Sequence, residues 1–399
     1  MEFSVKHQAI SESMTLAISA RAKSMKAVGL DVISFGAGEP DFNTPENIIE
    51  AAKEALDNGI TNYTAASGMA ELKKSIVDKL KNDNNLDYEL DQIIVSNGAK
   101  HSLYNTFQAL LNPGDEVIIP SPYWVSYPEL VKMAGAVPVF VKCSEENDFL
   151  ISIEDLKAAQ SKKTKAIILN SPSNPTGTTY GIKQLKEIAD FAVSNNLFVI
   201  SDEIYEKIIY DDNEHISIAS LGDDIKELTV VINGVSKAFA MTGWRIGYAA
   251  GPKKLVSIMS SIQSHATSNP NSIAQYATIS ALNTECTAKS VKKMHKEFDK
   301  RRIYMYEKIN SITGISCIKP KGAFYIMVNI NKLFKKKYEG KKISGSLEFA
   351  KLLLADKYLA VIPGIAFDAD NYIRLSYANS MENIKEGLDR LENFIKKLD

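Results

Sequence analysis

From about residue 47 to residue 282 the chain alternates short apolar, β-rich runs with longer stretches whose apolar positions recur at helical spacing. The runs are QIIVS (92–96), DEVIIP (115–120), VPVFV (137–141), KAIILN (165–170), LFVISD (197–202), LTVVIN (228–233) and RIGYAA (245–250). Seven such runs separated by helical segments predict one large, mainly parallel sheet of seven strands, covered by helices on both faces.

After about residue 283 the texture changes. A long charged helix, ECTAKSVKKMHKEFDKRRIYMYEKINSI, precedes two isolated strands, AFYIMVNI and YIRLSYA, and a closing helix from about Met381. This pattern predicts a smaller α+β domain formed by residues 283–399, beside a large domain of residues 47–282. The segment 1–46 is too short to build its own core and is expected to join the small domain as an N-terminal arm. The lysine-rich patch KLFKKKYEGKK (332–342) reads as a solvated loop, and no internal repeat is present.

Composition narrows the chemistry. Across 399 residues, 47 Lys+Arg stand against 48 Asp+Glu, a net charge of −1, so no global field recruits nucleic acid or an anionic membrane. The three cysteines form no CxxC pair, and the five histidines lack ligand spacing, which argues against a disulfide scaffold and a metal site. The N-terminus has no secretory apolar core, and no window has the apolar length of a membrane span. The expectation is a cytoplasmic protein acting on small molecules.

Four stretches carry candidate chemistry. SFGAGEPDF (34–42) spaces Gly36 and Gly38 like a dinucleotide fingerprint but has Asp41 where the third glycine belongs. SNGAKHSLYN (96–105) ends a strand and starts a helix at Gly98-Ala99, offering free N–H groups and a positive dipole end to an anion. LNSPSNPTGTTY (169–180) fixes Asn174 beyond a strand with two X-Pro bonds and a glycine. LFVISDEIYE ends a strand in Asp202, with Tyr205 three residues on; such an aspartate serves either a ligand or the N-cap of a following helix.

The stretch SKAFAMTGWRIG (236–247) adds Lys237 and Arg245 among small and apolar neighbours. Asn174, Asp202 and Lys237 fall at one edge of the predicted sheet, where open α/β sheets bind ligands. A ligand that suits them needs an acceptor for Asn174, a basic ring nitrogen for Asp202, an aldehyde for Lys237 and a phosphate for Arg245. Pyridoxal 5'-phosphate has all four.

Asn174-Pro-Thr-Gly, Asp202-x-x-Tyr205, Ser236-Lys237, Gly243-Trp-Arg245-Ile-Gly and YIRLSYA with Arg374, in this order along nearly the whole chain, resemble the class I/II (fold type I) aminotransferases. GEPDFNTPE, YTAASGMAELK, SPYWVSYPE and AFAMTGWRIGYAAGP are most similar to the bacterial aspartate aminotransferases of the Ib subgroup. The resemblance implies that Lys237 holds the cofactor as a Schiff base and serves as the general base, that Arg245 binds its phosphate, and that Asp202 pairs with the pyridinium nitrogen. It implies that Tyr205 and Asn174 bond the phenolic oxygen, that Trp124 stacks on the ring, and that Gly98, Ala99 and Lys100 complete the phosphate cup. Tyr63 matches a tyrosine supplied by the neighbouring subunit, which implies a homodimer with shared active sites. Gly38 and Arg374 are implied at the substrate α-carboxylate, and Trp124 and Asn174 are implied to touch the substrate as well. Lys100, Ser13 and Thr15 are implied at the distal carboxylate of aspartate.

One position departs from the family pattern. Many relatives place Ser or Thr three residues before the lysine as a phosphate ligand, where this chain has Gly234; Ser236 is a candidate substitute. The implied reaction is ping-pong transamination between an amino acid and a 2-oxo acid, aspartate with 2-oxoglutarate foremost. Prephenate, aromatic amino acids and C–S lyase chemistry on the same fold are the alternatives.

Overall fold

In the computed structural model, Gln8 and residues 10–399 are described. A helix, Met14–Ala27, leads to a two-residue strand β1 (Ile33–Ser34). The seven apolar runs then form β2 (Ile93–Ser96), β3 (Glu116–Ser121), β4 (Val137–Lys142), β5 (Thr164–Asn170), β6 (Phe198–Asp202), β7 (Thr229–Gly234) and β8 (Gly247–Ala250). They make one sheet in the order β2-β8-β7-β6-β5-β3-β4, parallel throughout except that β8 runs antiparallel to both of its neighbours.

The apolar runs are continuous because both faces are buried. Side chains alternate across the sheet: Ile94, Ile200, Val230 and Ile232 pack with Leu103, Phe107 and Met259 of the helices Ala99–Leu110 and Lys253–Ala266. Their neighbours Ile93, Val95 and Val231 face the helices Ala70–Asn84 and Ser272–Asn283 through Leu72, Ile76 and Ala277. Val199 and Leu169 meet Leu185 and Ile188 of the helix Ile182–Ser194.

The C-terminal part carries the long helix Glu285–Ser311, β9 (Tyr325–Asn329), β10 (Lys337–Tyr338), β11 (Lys341–Lys342), the helix Ser346–Lys357, β12 (Leu359–Ala360), β13 (Ile362–Pro363), β14 (Tyr372–Ser376) and the closing helix Met381–Ile395. β13, β14 and β9 form an antiparallel sheet, and β1 pairs in parallel with β12 through Ile33–Leu359 and Ser34–Ala360. One core cluster joins Ile33 and Phe35 of the early chain to Phe298, Ile326, Leu375 and Leu388, and it extends to Tyr205 and Tyr210 beyond β6.

Three local readings change. RIGYAA is a strand only from Gly247, because Arg245 adopts a left-handed backbone (φ 56°) that ends a short turn before the strand. The lysine-rich patch is a short turn, Asn331–Leu333, followed by a small β10-β11 hairpin; Leu333 and Tyr338 are buried while most of its lysines are exposed. No helix starts after Asp202, so that residue is not an N-cap; the chain turns instead. No described helix is long and apolar enough to cross a membrane.

Candidate active site

The C-terminal ends of β5, β6 and β7 lie side by side, and each delivers one predicted residue to the same edge. Asp202 is the last residue of β6, Asn174 sits in the turn beyond β5, and Lys237 follows β7 by three residues. Gly234 explains its own identity. It pairs with Gly247, and a Cβ there would lie 2.9 Å from the Gly247 Cα and the Ile246 carbonyl. The close approach of β7 and β8 thus excludes the usual side chain, and Ser236 remains buried directly ahead of the lysine.

Lys237 is half-buried, and its Nζ donates to the Gly38 carbonyl. Burial depresses its amine to about 8; Glu39 opposes that effect, while Arg245 and Arg374 add to it. The result is an amine with a substantial neutral fraction near pH 8, as a nucleophile and proton carrier requires.

Asp202 is 4 % exposed. Burial raises its carboxyl to about 6, against the hydrogen bonds from Tyr127 Oη to Oδ2 at 2.7 Å and from the Ile204 N–H to Oδ1 at 3.3 Å. At pH 7 it is therefore mainly an anion.

Arg374, on β14, is 3 % exposed and lies between the rings of Tyr325 and Phe367, 4.3 and 5.0 Å from their centroids. Its Nη1 donates to Asn174 Oδ1 at 2.8 Å and its Nη2 to the Gly36 carbonyl at 3.1 Å, while its buried Nε has no partner. No carboxylate pairs with it among the described residues. A buried guanidinium held only by neutral groups, with a donor left over, is poised for an anion.

At the other end, Gly98 (φ 89°) opens the helix Ala99–Leu110. A Cβ on Gly98 would lie 2.2 Å from Arg245 Nη2, so glycine lets the guanidinium lie against the backbone. Arg245 also donates to the Thr242 carbonyl at 2.7 Å and the Asn97 carbonyl at 3.4 Å. The free N–H groups of Ala99 and Lys100 and this arginine make a cradle suited to a phosphate.

The remaining predicted residues divide. Tyr205 is buried, with its hydroxyl 2.9 Å from that of Tyr325. Trp124 stands at the rim, and Lys100 Nζ lies 4.9 Å from its ring centroid. The Lys100 ammonium is pushed below its usual pKa by the surrounding protein and by Arg245. Tyr63 is 90 % exposed and touches none of this. Ser13 and Thr15 hydrogen-bond each other at 2.9 Å, and the Ser11 N–H just before them bonds Glu129 in the helix that follows Trp124; neither is joined to Lys100.

Residues passed over in the sequence also converge here: Tyr127 on Asp202, Tyr325 on Tyr205 and Arg374, and Glu39 near Lys237. Glu39 lies inside GEPDF and Tyr127 inside SPYWVSYPE, so the motifs flagged their neighbourhoods; Tyr325 had no such signal. Behind the site, Glu203, Glu206 and His215 bring their ligand atoms within 4.8 Å of one another, a grouping that the histidine spacing did not anticipate. Their partners are internal. Glu203 accepts from Ser201 at 2.8 Å and Ser217 at 2.7 Å and faces His215 at 2.9 Å, and Glu206 pairs with Lys79 and accepts from Asn84 at 2.9 Å.

An α/β sheet that gathers a depressed lysine, a buried aspartate, a phosphate cradle and an unpaired arginine at one edge has the layout of a lysine-dependent group-transfer enzyme. The chain belongs to the aminotransferase class I and II family, whose model matches residues 30–391. It is 49 % identical over 387 residues to the aspartate aminotransferase of Bacillus sp. (strain YM-2), covering 97 % of each chain. Among solved structures it is similar to the aspartate aminotransferase of Rhizobium meliloti, with 41 % identity, a TM-score of 0.96 and full coverage of both chains. It also resembles the Thermus thermophilus aspartate aminotransferase determined with maleate, with 39 % identity, a TM-score of 0.93 and coverage of 99 % of this chain and 100 % of that one.

Proposed function

We propose that the protein is a pyridoxal-phosphate-dependent aspartate aminotransferase, exchanging the amino group of L-aspartate with 2-oxoglutarate to give oxaloacetate and L-glutamate. The observation that carries the reading is Arg374: buried, held by neutral acceptors and keeping an unpartnered Nε beside Asn174. An α-carboxylate supplies the missing charge and accepts in bidentate fashion. The names of close relatives support the dicarboxylate, and the maleate bound by the Thermus thermophilus relative is itself a dicarboxylate.

The residues fit the cofactor. The Gly98 cradle with Arg245 and the Ala99 and Lys100 N–H groups suits its phosphate, buried anionic Asp202 suits a protonated ring nitrogen, Trp124 offers a face, and Tyr205 and Asn174 offer donors. When bound, pyridoxal phosphate supplies an aldehyde to take up the amino group and a ring to accept electron density from the substrate Cα. Lys237 Nζ, neutral in part near pH 8, removes the Cα proton and returns one in the reverse half-reaction. Asp202 keeps positive charge at the ring nitrogen. Arg374 and the Gly38 backbone orient the α-carboxylate, and Lys100, with Ser13 and Thr15, faces the distal one. Exposed Tyr63 reaches the phosphate of a second copy, so the working unit is a homodimer with shared sites.

The test is a panel of donors with 2-oxoglutarate as acceptor. Aspartate should exceed alanine and phenylalanine in kcat/KM, and Lys100→Ala should depress aspartate much more than the other two. Release of ammonia or thiol without dependence on 2-oxoglutarate, or equal losses for all donors, contradicts the assignment.

A further inference from the structure

Tyr127 stands apart from the residues whose roles the resemblance implies. It is 2 % exposed, near the start of the helix Ser126–Met133, and its hydroxyl donates to Asp202 Oδ2 at 2.7 Å across 75 residues of sequence. Its ring is fixed edge-on against Trp124, with centroids 5.3 Å apart at 81°. The charged or titratable groups around Asp202 are Tyr127, Tyr205, Glu203 and Lys237. Of these, Tyr127 alone hydrogen-bonds the carboxylate among the described residues; the Ile204 N–H takes the other oxygen.

A carboxyl this deep in apolar surroundings has two problems. Desolvation favours its neutral form, and an unheld side chain can rotate away from a partner. A hydroxyl donating to one oxygen answers both, since it stabilises the anion and fixes its plane. The tyrosine itself stays a donor, because burial and the adjacent Asp202 charge hold its own pKa far above neutrality.

We propose that Tyr127 is a positioning residue for the transamination: it keeps Asp202 ionised and oriented toward the cofactor ring nitrogen, and its edge contact sets the Trp124 face in the same step. The inference rests on the cofactor reading above.

Cofactor-free protein titrated with pyridoxal phosphate from pH 5 to 9, with the dissociation constant read from tryptophan fluorescence, tests it. Affinity should fall as acid neutralises Asp202. In Tyr127→Phe the acid limb should move up by about one pH unit, with affinity weaker by roughly fivefold near pH 6, approaching tenfold at pH 5, and little changed at pH 9. In an Asp202→Asn background, Tyr127→Phe should change nothing. Infrared spectra of the cofactor-free protein supply a readout independent of binding. At pH 6.5, Tyr127→Phe should show more of the protonated carboxyl band, and the band should vanish when Asp202→Asn is added. An unmoved limb and band, or an equal shift in the Asp202→Asn background, overturns the role of Tyr127. If Asp202→Asn alone leaves affinity and its pH profile as in the wild type, the cofactor reading itself fails, and the inference with it.

Discussion

Asp202 and Glu203 are consecutive, yet they belong to opposite kinds of charge cluster. Glu203 looks into a closed set: Ser201, Ser217 and His215 satisfy it, while neighbouring Glu206 takes Lys79 and Asn84. Cations and anions match in number once His215 is protonated, and Glu203 and Glu206 raise the His215 pKa against its burial. Asp202 instead faces an edge where Lys237, Arg245 and Arg374 gather, with no ion pair for any of the three among the described residues. Glu39 acts on Lys237 only at a distance. A buried cluster that satisfies itself holds a fold together; an edge with surplus cations and an unused buried guanidinium donor is arranged around a missing anion.

Mutations should separate the two clusters by what they damage. The largest effect belongs to Lys237→Ala. Turnover should fall by roughly 10³-fold or more, because covalent capture and proton transfer both depend on Nζ, while the melting temperature of the cofactor-free protein is not lowered. Near-normal turnover of purified variant would remove the lysine from the mechanism. Lys79→Met should do the reverse. It leaves Glu206 buried without its cation and should cost roughly 3–5 kcal/mol in denaturant unfolding, with kcat per folded molecule nearly unchanged.

Asp202→Asn sharpens the contrast by changing sign. The folded carboxyl titrates at about 6 against the ordinary aspartate value of 3.8, so the folded state binds a proton more tightly. The resulting penalty is absent below about pH 4, grows between the two values and is complete above pH 6. Removing the charge should therefore stabilise the cofactor-free protein by roughly 2–3 kcal/mol at pH 7 while weakening cofactor binding. Glu206, held down at about 2 by Lys79 and His215 despite burial, has the opposite linkage: its contribution is present above about pH 4.5 and is lost toward pH 2. A Glu206→Gln variant should be less stable than the wild type at pH 7, with the gap closing in acid. The smallest effect is kinetic. The rate of cofactor capture by the apoprotein should rise with pH around a midpoint near 8; a midpoint near 10.5 would show an unperturbed lysine.

The sheet was legible because its strands are buried on both faces and stand out as apolar runs between periodic segments. The site was legible where a residue is tied to a strand end, as Asn174, Asp202 and Lys237 are. Tyr127 and Tyr325 escaped for a physical reason: each acts across 75 or 120 residues, and buried tyrosines usually read as core. Arg245 falls inside a predicted strand because its left-handed turn has no apolar signature. The lysine-rich hairpin reads as a loop because charge outweighs Leu333 and Tyr338 in the pattern. The balanced cluster behind β6 draws Lys79, Glu206 and His215 from separate segments and had no local motif to announce it.

The claim that the edge is built around an anion rests most directly on Arg374. Wild-type enzyme loaded with pyridoxal phosphate should be titrated with maleate, followed by the change in cofactor absorbance, beside Arg374→Ala. Loss of a buried, bidentate charge partner is worth roughly 2–5 kcal/mol, so the variant should bind maleate at least about thirtyfold more weakly while retaining its cofactor. Equal affinity in the two proteins would mean that the surplus charge at this edge does not serve the substrate carboxylate.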